Sequence, residues 1–104
     1  MSCAATMAYR VDLTARAVRD LRHIFETIDA QNSTAAAEWF SGLEAAVLAL
    51  ENQPHRHPAA PEKDGLRHIL HPSRSYVYRV IFKIDDARRI VSVLHIRHGS
   101  RRAL

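Results

Sequence analysis

Tyr76-Val77-Tyr78-Arg79-Val80-Ile81-Phe82-Lys83-Ile84, the link Asp85-Asp86-Ala87-Arg88, and Arg89-Ile90-Val91-Ser92-Val93-Leu94-His95-Ile96-Arg97 form two runs dense in β-branched and aromatic residues around a short polar break. Such residues suit a pleated, half-buried surface, and the break suits a hairpin turn. Side chains on a strand alternate between faces. Tyr76, Tyr78, Val80, Phe82 and Ile84 therefore make a core-like face, and Val77, Arg79, Ile81 and Lys83 the opposite one. The same rule applied to the second run sets Ile90, Ser92, Leu94, Ile96 and His98 against Val91, Val93, His95 and Arg97. Gly99 permits a bend at the end of that run.

Upstream, Leu66 to His71 reads as a third strand, preceded by the Pro-rich loop His55 to Gly65 with its Asp64-Gly65 turn. Before the loop come two helical patterns. Val18, Leu21, Phe25 and Ile28 draw one apolar stripe on a helix that Thr14 can cap and that runs to about Ala30. Ser33 or Thr34 can cap a second helix, whose stripe is Ala36, Trp39, Phe40, Leu43, Val47 and Leu50. Tyr9 to Leu13 alternates as a first strand. The order is strand, helical hairpin, three strands. This is an α+β domain: a largely antiparallel twisted sheet carries the helices on one face and presents charged side chains on the other.

The 104 residues fit one domain with a single core, with residues 1–7 as a flexible extension and Met7 as an alternative start. No apolar run approaches a membrane span, and the first residues lack the basic and apolar regions of a secretory signal, so a cytoplasmic protein is expected. The lone Cys3 makes no internal disulfide and sits without an organised base. The net charge of +4 hides a polarised chain. Residues 66–104 carry +7 and residues 1–65 carry −3, which points to an acidic or polyanionic partner and to salt-sensitive association.

Arg79 projects from the middle of a strand, where a guanidinium can meet a phosphate bidentately or serve as a salt-bridged sheet arginine. His98 can act as general acid or base, or stand as a surface histidine. Arg101 and Arg102 can neutralise phosphate or form a solubilising tail. The pairs His55 with His57, His68 with His71, and His95 with His98 invite a metal reading. The last two pairs point to opposite strand faces and the first lacks further ligands, so no metal or cofactor is expected. Trp39 and Phe40 belong to packing, and Arg16, Arg19 and Arg22 to a solvated helix face.

The strings Tyr9-Arg10-Val11, Ala36-Ala37-Glu38-Trp39-Phe40 with Leu43, Leu50 to Pro54, Leu66-Arg67, Tyr78-Arg79-Val80-Ile81-Phe82 and Val93-Leu94-His95-Ile96-Arg97-His98-Gly99, in this order, resemble the RelE/ParE superfamily of type II toxin–antitoxin toxins. The resemblance covers nearly the whole chain from Tyr9 onward. It implies a growth-inhibiting toxin neutralised by a cognate antitoxin protein, whose acidic segment folds across the helical hairpin and the basic sheet face. Members of the RelE-like branch cleave mRNA on the ribosome by driving the ribose 2′-OH against the neighbouring phosphate with basic residues. Members of the ParE-like branch inhibit DNA gyrase. Carried over by position, the RelE-like set falls on Arg67, Arg79 and Arg101, with Ile69 where a second lysine is common. This chain has no counterpart of the tyrosine found on a further C-terminal helix in the RelE-like branch. His98 then supplies the acid or base, or the cleavage activity is absent, and the incomplete set favours the ParE-like branch. An inactive basic binding module is a third reading.

Overall fold

The computed structural model describes residues 8–72 and 76–101, with the backbone alone for residues 76 and 99–101. The expectations placed on residues 1–7, including Cys3 and Met7, and on Arg102 lie outside the described residues.

Strand β1 (Arg10–Leu13) passes into helix α1 (Ala15–Thr27) through Thr14. The Thr14 Oγ1 accepts the amide of Ala17 at 3.1 Å and lies 3.0 and 2.7 Å from the carbonyls of Val93 and Leu94, to which its hydroxyl donates. One side chain thus caps the helix and anchors it to the sheet. The helix stops short of Ala30. Asp29 turns left-handed at φ 57°, and the amides of Asp29 and Ala30 reach back to Glu26 and Phe25, each at 3.1 Å. This reverse turn satisfies carbonyls that would otherwise be orphaned at the helix end.

Ser33 then caps helix α2 (Thr34–Leu48) by accepting the Ala36 amide. On α1 the buried line is Ala17 and Ile24, flanked by half-buried Leu21, Phe25 and Ile28. Val18, placed on the stripe by spacing alone, is 43% exposed. On α2 the buried line Phe40, Leu43 and Val47 continues to Leu50 in a single 3-10 turn, as its spacing predicts.

Strands β2 (Leu66–Pro72), β3 (Tyr76–Asp85) and β4 (Ile90–Arg101) complete a four-stranded sheet ordered β1-β4-β3-β2. β3 is antiparallel to both of its neighbours. β1 lies parallel to β4, so the sheet is mixed. A parallel neighbour needs a long crossover, and here the chain travels through both helices between β1 and the β2–β4 segment. β1 pairs only with residues 90–93 of β4. Beyond it α1 takes over the edge, where Asp20 Oδ2 accepts the Ile96 amide at 2.9 Å.

Val93 pairs with Phe82 and His95 with Ile81, so Leu94 is an extra residue on β4. A bulge of this kind reverses the side-chain alternation beyond it. The faces read from simple alternation are therefore corrected: Val91 and Val93 share the helix-side face with Ile96 and His98, while Ser92, His95 and Arg97 share the open face. A second shift, between the pairs Tyr78–His98 and Tyr76–Arg101, falls where Gly99 permits a bend. The core between helices and sheet holds fully buried Leu43, Leu50, Val80, Phe82, Val91 and Val93, each contributing on the order of 1.5–3 kcal/mol of burial. Trp39 packs at its margin, 5.0 Å from the His71 ring and 5.2 Å from Tyr78, with Nε1 donating to the Pro72 carbonyl.

Candidate functional site

Arg79 stands at mid-strand on the open face, opposite Leu70 on β2 and Arg97 on β4. Two like charges facing each other across strands repel. The loop before β2 answers with Glu62, whose two carboxylate oxygens accept from Nη1 and Nη2 of Arg79 as a fork, the second at 2.7 Å. Arg97 Nη1 lies 3.9 Å from the same Glu62 Oε2. His68 Nδ1 accepts from Arg79 Nε at 3.2 Å and lies 2.8 Å from Nη2. An acceptor nitrogen requires the neutral ring with its proton on Nε2.

The charge environment agrees with this assignment. The Arg79 hydrogen bonds hold the Glu62 carboxyl down to about 2, and the carboxylate pushes the Arg79 guanidinium up. Burial, reinforced by Arg79, pushes His68 below its ordinary value. His95, also on this face, is lowered by burial and by Arg16 and Arg97, and its buried Nδ1 has no hydrogen-bond partner.

The other carried-over residues lie elsewhere. Arg67 pairs with Phe82 and so belongs to the helix side, where Nη1 donates to the carbonyl of His57. His98 is on the helix side too, edge-on to Tyr78 at 5.1 Å. It borders a cleft of about 200 Å³ walled by Asp20, His23, Ile24, Thr27 and Ile96. Arg101 is placed by its backbone pairing with Tyr76, and its side chain lies outside the described residues. The structure thus joins Arg79 to Glu62, His68 and Arg97 and does not join it to Arg67 or His98. The histidines of the pairs His68/His71 and His95/His98 point to opposite faces, and among the described residues no group of three His, Cys, Asp or Glu is placed to hold a metal. His68 is within reach of alternation on β2 alone, and Arg97 only once the Leu94 bulge is known. Glu62 carries no signal in the sequence, because the folding of its loop alone brings it to Arg79.

Residues 11–103 match the family described as ParE toxin of type II toxin-antitoxin system, parDE. The chain belongs to the RelE/ParE superfamily of type II toxins. It is 36% identical over 94 residues to Toxin RelE of Mycobacterium tuberculosis (strain ATCC 25618 / H37Rv), spanning 88% of this chain and 82% of that one. Its fold is similar to the chromosomal ParDE system from P. aeruginosa, with a TM-score of 0.71 at 16% identity over 90% of this chain and 99% of that one. It is similar also to the toxin–antitoxin complex RelBE2 from Mycobacterium tuberculosis, with a TM-score of 0.60 at 24% identity over 88% and 92%. Among the described residues no helix of this RelE/ParE-type toxin is long and apolar enough to cross a membrane.

Proposed function

We propose that this toxin arrests growth in the ParE-like manner, by binding and inhibiting DNA gyrase. The observation that carries the reading is the division of the cleavage set between the two faces of the sheet. A phosphate-holding cation and a proton-transferring group must reach one scissile phosphodiester, the latter within about 3 Å of the proton it moves. Arg79 on the open face and His98 on the helix face do not meet this requirement through the intervening sheet. Arg67, committed to the His57 carbonyl, does not complete it. The match to the ParE family over residues 11–103 supports the same branch.

A cognate antitoxin is the partner that holds the toxin in check. The helical hairpin offers it apolar surface. Leu48 is 62% exposed and Val18 43%, beside a shallow cleft of about 100 Å³ lined by Leu13, Leu21, Glu44 and Val47. An amphipathic antitoxin segment gains by covering such residues.

The likeness to Toxin RelE favours a second reading, metal-independent mRNA cleavage with Arg67, Arg79, His98 and Arg101. Purified full-length toxin added to gyrase in a supercoiling assay separates the two. Inhibition at stoichiometric concentration is expected. Undiminished supercoiling, together with in-frame transcript cuts abolished by Arg79→Ala or His98→Ala, would replace the first reading with the second.

A further inference from the structure

The helical hairpin turns a face of two opposed halves to solvent. On α1, Val18 is 43% exposed, and Arg22, one turn further along the same side, is exposed as well. On α2, Leu48 is 62% exposed, and Glu44, one turn back, is exposed and lines with it the cleft shared with Leu13, Leu21 and Val47. That cleft joins the start of α1 to the end of α2, as an antiparallel hairpin requires. Down the groove between the helices, each side therefore presents an aliphatic residue and then a charge: Val18 then Arg22 on α1, Leu48 then Glu44 on α2. The two charges differ in sign. α2 carries Glu38 and Glu44 and no cation, whereas Arg16, Arg19 and Arg22 outnumber Asp20 and Glu26 on α1.

We propose that this face is a self-association surface, covered in the free toxin by the same face of a second copy. The inference is independent of the gyrase reading. A two-fold axis along the groove lays α1 of one copy on α2 of the other. Aliphatic residue and charge follow one another in the same order down both helices, so this one operation sets Leu48 of each copy against Val18 of the other and Glu44 against Arg22. Each pair is made twice. The charge pattern selects a copy of this chain over a segment of a single sign, which would satisfy one helix and oppose the other. Helices of 13 and 15 residues are about 20 Å long and about 10 Å wide, so the paired face falls at the small end of specific interfaces, which bury about 800 Å² per partner. The dimer is accordingly exchangeable, forming at about micromolar concentration. It uses the apolar residues offered above to the antitoxin, so the two occupants exclude each other and an antitoxin must displace the second copy to bind.

The test is sedimentation equilibrium of the purified full-length toxin from about 1 to about 200 µM. The mass is expected to rise from one copy to two and to stop there. Leu48→Glu is expected to leave a monomer throughout. Glu44→Arg or Arg22→Glu alone should weaken the dimer by about tenfold, and the two together should restore it, because the double reversal rebuilds both ion pairs with their signs exchanged. Leu70, 54% exposed on the open face of the sheet, supplies the control: Leu70→Glu should dimerise as wild type does. Thermal unfolding verifies that each variant is folded, and all four positions are exposed. A dimer that survives Leu48→Glu, a double reversal no tighter than the single ones, a dimer dissociated by Leu70→Glu, or a mass that climbs past two copies would each overturn the proposal. A toxin that stays monomeric across the range, and whose Leu48→Glu variant loses only its co-expressed antitoxin, would give the face to the antitoxin alone and overturn the dimer.

Discussion

Thr14 shows how much a single side chain can be asked to do. Its hydroxyl oxygen accepts the Ala17 amide while the hydroxyl donates to the Val93 and Leu94 carbonyls at the bulge of β4, so its loss leaves both a helix N-terminus and a sheet carbonyl short of a partner. Thr14→Ala is expected to destabilise the toxin by about 1–2 kcal/mol, with Thr14→Ser recovering most of the loss, as measured by chemical denaturation. A Thr14→Ala variant as stable as wild type would show that water replaces both bonds. Caps of this kind are legible in the sequence, because Thr and Ser before an apolar-periodic segment have a local preference that tertiary contacts seldom reverse, and Ser33 is read in the same way. The left-handed Asp29 that ends α1 is less legible. Aspartate tolerates that conformation only in some contexts, here with Asn32 Nδ2 donating to its carboxylate at 2.8 Å, and continued apolar spacing hides the break. Glu62 is illegible altogether, since nothing near it in sequence announces a partner on β3.

At the scale of the element, β4 is where alternation misleads. Its composition reveals a strand and its pairing with β3 follows from the short link, but the extra residue at Leu94 has no glycine or proline to mark it. The reversal matters because it puts Ile96, 3% exposed, against the core and leaves Leu94 half-exposed. Simple alternation would set these two side chains on one face with equal cost of truncation. The observed register predicts instead that Ile96→Ala costs about 2–4 kcal/mol and Leu94→Ala less than half of that, read from the denaturant midpoints of the two variants. Equal losses would argue for an unbulged strand. The same register moves Arg97 next to Arg79 and His98 away from it, so the composition of the candidate site depends on one inserted residue. The parallel placement of β1 is also outside what spacing reveals. A strand that alternates is compatible with either edge of the sheet, and the choice is made by the crossover through two helices and by the hold of α1 on residues 94–96 of β4.

Across the whole molecule, the concentration of positive charge in residues 66–104 was readable at once, and the fold turns it into a face on which cations crowd and histidines stay neutral. His68 and His95 on that face, and His57 on the helix side beside Phe82, are all lowered by burial first, with neighbouring arginines adding to it. Each binds a proton more readily in the unfolded chain, where the ordinary value is about 6.5. Stability therefore rises with pH through the window between the depressed folded values and 6.5, is fully present above that window, and is lost as pH falls through it. Glu62 acts in a lower window. Its carboxyl is held at about 2 in the fold against an ordinary 4.5, so the fork with Arg79 supports the fold above roughly 4.5 and is lost as pH falls toward 2. The unfolding temperature of the wild type is expected to fall in two stages, first below neutrality and again below pH 4.5. Glu62→Gln should keep the first stage and flatten the second, because the glutamine has no charge to lose. A profile in which Glu62→Gln reproduces the wild-type acid limb would show that the fork does not anchor the loop. Retention of the limb after Arg79→Gln would assign the acid loss to other carboxylates, Asp86 above all, which is held below its ordinary value by hydrogen bonds from Tyr9 and His55.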